Sequence, residues 1–408
     1  MSQHVLVIGA GLAGPATALF LQKAGIEPEV FEAYPDRAGS GGALVLAPNG
    51  MAVMAELGLA ERVLAAGTVI DRFDFRSRRG FRLGTAAYAP PGLYRCPGVS
   101  LSRARLYGIL LDALAERAIP VRHGKRLAAI EESASAVTAR FDDGASATGQ
   151  LLVGADGIRS RVRDIILPEA AKPAFTGLIG GGGFLAREDL ARLVGPGNEG
   201  TMTFCFGQGA FFGYAFGDRG SENGAYWWHS LASDHPLSAE ERQRLSGQAG
   251  IDAFLDAGRG WHERVRGIVA ATREPIGPLD IFDVASLPRW SSGRAVLVGD
   301  AAHAVSPHSG QGASMALEDA IVLAKALRDR GCHAPAFAAF EAERRPRAER
   351  VIAFGRRGGD RKRGGRLASA LQTLLMPLFL RLMPAPHWLY GHEIGWVQGA
   401  GKDSSENR

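Results

Sequence analysis

Three textures of apolar and polar positions follow one another along this chain. In the first, a short apolar run passes into helical spacing: Val5-Leu6-Val7-Ile8 reads as a buried strand, and Leu12, Ala16, Leu19 and Phe20 then recur as one face of a helix. Gly25 ends that helix, and Glu29-Val30-Phe31 supplies the next strand. Residues from Val5 to about Ile70 therefore predict a βαβ unit. A second helix follows Asn49 through Met54 and Leu57, and a third spans Arg103 to about Arg117 with Leu106, Leu110, Leu111 and Leu114 on one side. These belong to a layered α/β domain.

The second texture occupies residues 71–99 and 173–284, where aromatic and β-branched residues alternate in short runs broken by Gly and Pro. Phe204-Cys205-Phe206, Phe211 to Phe216 and Ala225 to Trp228 predict strands of a mainly antiparallel sheet inserted twice into the first domain. The first texture then returns. Arg294 to Val298 predicts a buried strand that delivers Gly299-Asp300 at its carboxyl end, and a long helix with Met315, Leu317, Ile321, Leu323 and Leu327 follows Gly310-Gln311-Gly312. The expected partition is residues 1–70, 100–172 and 285–366 in one discontinuous domain, 71–99 and 173–284 in a β-sheet domain, and 367–408 as a C-terminal helical segment.

A length of 408 residues, 46% hydrophobic, is enough for a large core. The 47 basic residues against 42 acidic ones give only +5, and they are spread along the chain, apart from a cluster at Arg356-Arg357 and Arg361 to Arg366 that reads as a solvated face. No nucleic-acid motif accompanies it. The three cysteines, Cys96, Cys205 and Cys332, are far apart and form no CxxC, so neither a disulfide framework nor a metal site is expected. Nothing before Val5 resembles a signal peptide, which points to the cytoplasm. Leu367 to Met383 is interrupted by Gln372, Thr373, Pro377 and Arg381 and falls short of a membrane span. Membrane contact through Trp388, Tyr390 and Trp396 is the less favoured alternative to packing on the body, and a monomer or homodimer is the default.

The chemistry lies in three turns. Gly9-Ala10-Gly11-Leu12-Ala13-Gly14 follows a strand and opens a helix, the setting in which Gly9 makes a tight turn, Gly11 lets a pyrophosphate approach and Gly14 lets helix and strand pack closely. Glu32, at the end of the next strand, is placed to accept hydrogen bonds from a ribose diol. Leu151 to Gly154 predicts a strand, and the turn Asp156-Gly157 after it leads into a basic helix start with Ser160 and Arg163. Gly299-Asp300 and the helix start at Gly310, Gln311 and Gly312 form the third, where backbone amides and the helix dipole favour an anion. Only one strand-linked GxGxxG exists, so no separate nicotinamide fold is visible.

In this order and spacing the motifs resemble the single-component (class A) FAD-dependent monooxygenases typified by p-hydroxybenzoate and salicylate hydroxylases. The match includes Arg103, Leu106 and Leu110 on their helix; Ser314 stands where many relatives have Asn. The resemblance implies an α/β fold: a Rossmann-like FAD-binding domain with a mainly antiparallel substrate sheet inserted and C-terminal helices. It further implies FAD held by Gly9, Gly11, Gly14, Glu32, Arg103, Asp156, Asp300, Gly310, Gln311 and Gly312, with NADH or NADPH as reductant. Pro307, His308 and Gln311 become the catalytic candidates, Pro307 and Gln311 beside the flavin ring and His308 where it could face the substrate. The implied reaction hydroxylates or epoxidises an apolar aromatic or polyene molecule with O2 through a flavin C4a-hydroperoxide. A flavin-binding cyclase or binding protein and a membrane-peripheral quinone hydroxylase are the alternatives.

Several residues have plainer readings. His303 reads as a support of its loop rather than a base. Tyr214, Trp228 and His229 are candidates for a substrate pocket, although aromatic residues on strands are commonly core. The run Gly180 to Gly183 reads as a bend in a strand, and Gly207-Gln208-Gly209 as a turn.

Overall fold

The computed structural model describes residues 3–35, 41–90, 92–207, 210–257, 260–360 and 386–397. Val5, Leu6 and Val7 are wholly buried, as expected of a strand covered on both faces. Strand His4–Ile8 sits inside a six-stranded sheet, parallel to Glu27–Phe31 on one side and to Leu151–Gly154 on the other. Val121–Arg122 and Ala295–Leu297 extend the parallel run outward, and Ser291–Ser292 adds an antiparallel edge. Helix Ala13–Lys23 ends at Gly25, whose φ of +78° suits glycine. Ser102 caps helix Arg103–Glu116 by accepting the Arg105 amide at 3.0 Å. Helix Gly312–Arg330 is buried continuously from Ser314 to Ala324 and packs between Ala13–Lys23 and the following helix, His333–Asp360.

The second large layer is a seven-stranded sheet. Its strands lie in the spatial order Glu274–Asp283, Ala174–Leu185, Ala225–Ala232, Ala210–Phe216, Thr201–Gly207, Arg72–Ser77 and Arg82–Ala87. Neighbours are antiparallel, except that Arg72–Ser77 runs parallel to Thr201–Gly207. The pattern of residues 173–284 predicts mainly strands, but the region also contributes helices Arg187–Val194, Gly247–Ala257 and Glu263–Ala270, which cover one face of the sheet through Leu190, Ile251, Val265 and Ile268. Their polar stretches had masked a narrow apolar stripe. In Gly180 to Gly183 the pairing register shifts, so the glycine run is a bulged stretch of strand.

A small sheet of Ala43–Leu46, Gly98–Ser102 and Thr68–Ile70 contributes to the interface between the two large layers. Residues 386–397 strap across the nucleotide layer: Trp396 stacks on Phe20 at 5.7 Å between the cations of Lys23 and Arg328. Arg356, the first of the basic cluster, makes two 2.7 Å hydrogen bonds to the buried Asp283 carboxylate while its own side chain remains exposed. Leu367 to Met383, Gln208 and Gly209 lie outside the described residues. No described helix is long and apolar enough to cross a membrane.

Candidate cofactor and active site

The sequence motifs all leave the carboxyl ends of neighbouring parallel strands, which is where open α/β sheets place their ligand crevice. Gly9 follows Ile8, Glu32 follows Phe31, Asp156 stands two residues past Gly154, and Gly299-Asp300 lies just past Leu297. The Gly9 amide donates to the Phe31 carbonyl at 2.7 Å and the Ala155 amide to that of Ile8 at 2.8 Å, tying adjacent turns together. Four stretches distant in sequence thus meet at one rim.

Gly9 has a φ of +105°, and a Cβ there would stand 2.5 Å from the Ala155 carbonyl oxygen. One on Gly14 would lie 1.8 Å from the Gly9 carbonyl oxygen, a backbone collision that nothing flexible relieves. At Gly11 a Cβ would meet only the Arg103 guanidinium, at 3.9 Å, so this backbone faces the crevice. Glu32 does more than wait for a ribose: its carboxylate accepts the amides of Ala10 at 2.7 Å and Tyr34 at 3.0 Å, which fixes the glycine turn and leaves further lone pairs.

Gly299 packs against the opposite end of this turn, with its Cβ position 3.1 Å from the Ala13 methyl. Asp300 therefore shares one crevice with Gly11. Its carboxylate reaches solvent through the crevice, yet the enclosing protein desolvates it and pushes its pKa up, while the charges of His303 and Arg103 pull it down. Gly9, Gly11, Gly14, Arg103 and Asp300 present the cradle, cation and acceptor that an extended dinucleotide such as FAD requires.

Asp156 anchors its own turn. It accepts the Ser160 hydroxyl at 2.5 Å and the Val162 amide at 3.0 Å, so it fastens the start of helix Arg161–Ile166. Burial raises its pKa against those two hydrogen bonds. Arg163 then crosses to the Ala301 carbonyl at 3.0 Å, joining this turn to the Gly299-Asp300 turn from below.

The largest feature that sequence reasoning missed is a buried charge network under Gly299. The Asp319 carboxylate accepts the Gly299 amide at 2.7 Å, contacts His303 Nε2 at 2.6 Å and accepts Arg344 Nε at 2.8 Å. Arg344 also pairs with Glu318 at 2.6 Å, and Glu318 takes two bonds from Arg347. Burial alone would raise both carboxyls; the charges of His303 and Arg344 hold Asp319 below its ordinary range, and those of Arg344 and Arg347 do so for Glu318. Arg347 also donates to the carbonyls of Trp388 and Leu389, so the C-terminal strap is wired into the same network. The signal was Glu318-Asp319 standing in the middle of an apolar helix, where unpaired charge is not tolerated.

Above the network, Pro307–Ser309 forms one 3-10 turn and Gly310 adopts a left-handed φ of +63° before the helix begins at Gly312. Gln311 is buried, and its Oε1 accepts from Asn49 Nδ2, which also reaches Glu318. Asn49 Oδ1 and Gln311 Nε2 are buried without a protein partner among the described residues, as suits groups facing a polar ring edge. His308 is engaged at both ring nitrogens, by Ser306 at 2.8 Å and by Ser230 of the seven-stranded sheet at 3.0 Å. It bridges the two layers.

Strand parity divides the three pocket candidates. Trp228 faces the nucleotide layer, 5.5 Å from Tyr226 and 6.0 Å from Phe204 between ring centres. Tyr214 and His229 point the other way, into the core beneath the helices, where Tyr214 is 4% exposed and His229 lies against Trp227 and Phe254. Burial pushes the His229 imidazole down to about 4. Among the described residues no cluster of His, Cys, Asp and Glu can hold a metal.

A parallel sheet with a crevice at its carboxyl ends, capped by an aromatic-faced sheet, is the architecture of a dinucleotide-binding protein with a second, inserted layer. The family model described as FAD binding domain matches residues 2–246 and 260–355, and the chain belongs to that family. The FAD-dependent urate hydroxylase of Klebsiella pneumoniae is 31% identical over 361 residues, 87% of this chain and 89% of that protein. The 3-amino-4-hydroxybenzoate 2-monooxygenase PtmB3 of Streptomyces platensis is 32% identical over 402 residues, 96% of each. The crystal structure of Klebsiella pneumoniae HpxO with FAD and uric acid superposes with a TM-score of 0.82 at 29% identity, covering 95% of both chains. The protein is an FAD-dependent monooxygenase.

Proposed function

We propose that this chain oxygenates an aromatic small molecule, taking electrons from NADH or NADPH and oxygen from O2. The observation that carries this reading is a single crevice in which Gly11, Arg103 and Asp300 can grip one extended ligand, while its far wall is the aromatic face around Trp228. FAD, when bound, supplies the redox chemistry, accepting hydride and activating oxygen. The protein's part is placement. Gly9 and Gly14 shape the pyrophosphate turn, Glu32 fixes it, and Arg103 supplies positive charge. The amides at the start of helix Gly312–Arg330 and the positive end of its dipole stabilise negative charge on a neighbouring ring. Pro307 and Gln311 line that loop. His308, bound on both sides by serines, positions the loop against the sheet rather than serving as an open base. The apolar wall keeps water from the reacting centre.

Purified protein is expected to retain FAD and to oxidise NAD(P)H faster when a suitable aromatic compound is added, with label from 18O2 entering the product. Tight substrate binding without NAD(P)H oxidation or oxygen uptake would instead support the reading of a flavin-bearing cyclase or binding protein.

A further inference from the structure

The seven-stranded sheet sorts its side chains by charge. Its five inner strands carry only three charged residues, Arg72, Asp74 and Arg76, and all three lie on the helix-backed face. There Arg72 bonds Thr201 at 2.8 Å, while Asp74 accepts from Arg76 at 2.7 Å and Arg82 at 3.0 Å. Asp74 and Arg76 line a polar cavity no larger than a water molecule together with Thr203, Tyr214 and Arg264. The crevice face is the reverse. Phe73, Phe204, Trp228 and Ile276 project from it and remain only partly buried, though they stand between two layers, so they form an open apolar wall. Gly213 opposite Trp228 has no room for a side chain, its Cβ position being 2.4 Å from the indole, which lets the ring lie flat on the sheet. Across the crevice, the imidazole of His308 is already taken up by Ser230 and Ser306.

Several aromatic hydroxylase substrates carry a ring carboxylate, as the name of the Streptomyces platensis relative indicates for its own. Such a group, set against a wall whose described inner-strand side chains carry no cation, keeps its desolvation cost without a counter-ion there. A neutral ring meets no such cost and gains stacked and edge contacts with Phe204 and Trp228. We propose that this site is selective for neutral, ring-bearing substrates and rejects ring carboxylates; this rests on the monooxygenase reading above. No described side chain on the crevice face of the inner strands offers a carboxylate a cation.

The test compares matched pairs on the FAD-loaded protein: 2-naphthol with 3-hydroxy-2-naphthoate, and 9-phenanthrol with phenanthrene-9-carboxylate. Measurement at about pH 7.5 keeps the carboxylates ionised and the hydroxyl compounds neutral. Perturbation of the flavin absorbance gives affinity, and the rate of NAD(P)H consumption gives coupling to reduction. The neutral member of at least one pair is expected to bind on the order of 100-fold more tightly than its carboxylate. Equal or tighter binding of the carboxylates, or no binding by either neutral compound, overturns the proposal. The variant Phe204→Arg should narrow the preference by strengthening carboxylate binding about tenfold; failure to do so with FAD still bound counts against the proposal. If that variant does not fold, the wild-type comparison decides. A protein that holds no FAD fails the monooxygenase reading itself, whereas one that holds FAD, consumes NAD(P)H and prefers carboxylates fails this inference alone.

Discussion

The parallel layer and the seven-stranded layer build their halves of the crevice by different means. On the nucleotide side, function sits in backbone: Gly9 and Gly14 are defined by what a Cβ would strike, Glu32 and Asp156 by the amides they accept, and Gly299 by the carboxylate holding its N–H. On the side proposed for the substrate, what matters is which way a side chain points. Trp228 and His229 are neighbours in sequence, yet one lines the crevice and the other lies in a core behind the sheet. A cofactor common to many enzymes is held by backbone and polar groups in fixed positions, whereas a substrate is recognised by a surface that a few side chains can redraw.

The sharpest way to break the nucleotide half is Gly14→Val. Its Cβ would stand 1.8 Å from the Gly9 carbonyl, so the turn must open, and FAD affinity should fall by on the order of 100-fold or more, seen as loss of the flavin absorbance after gel filtration. Retention of FAD by this variant would mean that the turn is not the pyrophosphate cradle. Next in size is Asp319→Ala, which strands buried Arg344 and releases the Gly299 amide; a loss of about 3–5 kcal/mol in denaturant unfolding is expected. A loss near zero would show the network to be dispensable.

The substrate half should respond to pH through His229. The folded state holds this ring neutral, with a pKa of about 4, while the unfolded chain protonates near 6.5. Its contribution is therefore complete above about pH 6.5 and is lost as pH falls toward 4. Between pH 7 and pH 5 the ring should cost about 2 kcal/mol of stability, a component that His229→Leu should remove in denaturation curves taken at both values. The smallest effects separate the two faces of one sheet. Trp228→Ala should raise KM about tenfold with FAD still bound, and Tyr214→Phe should leave KM within about twofold. Equal effects from the two would undo the assignment of faces.

Much of the nucleotide half was legible because its determinants are local. Gly9-Ala10-Gly11-Leu12-Ala13-Gly14 between a strand and a helix specifies its own turn, and Gly299-Asp300 after an apolar run does the same. The buried network was not legible, because Glu318 and Asp319 reveal their meaning only when Arg344 and Arg347, from the next helix, fold against them. Nor were His308's two serine partners, one of which comes from a strand nearly eighty residues earlier.

The sequence by itself determined the class of cofactor crevice and the order of its parts, since glycine sterics, caps and buried strands act over a few residues. Only the tertiary structure decided which aromatic residues face the crevice, that the described inner strands carry no charge on that face, and that the strap at residues 386–397 is tied to the Gly299 turn through Arg347, Glu318, Arg344 and Asp319. The physical reason is pleat parity and long-range pairing: in a strand, a shift of one position moves every side chain to the other face, and a buried charge takes its partner from wherever the fold supplies one.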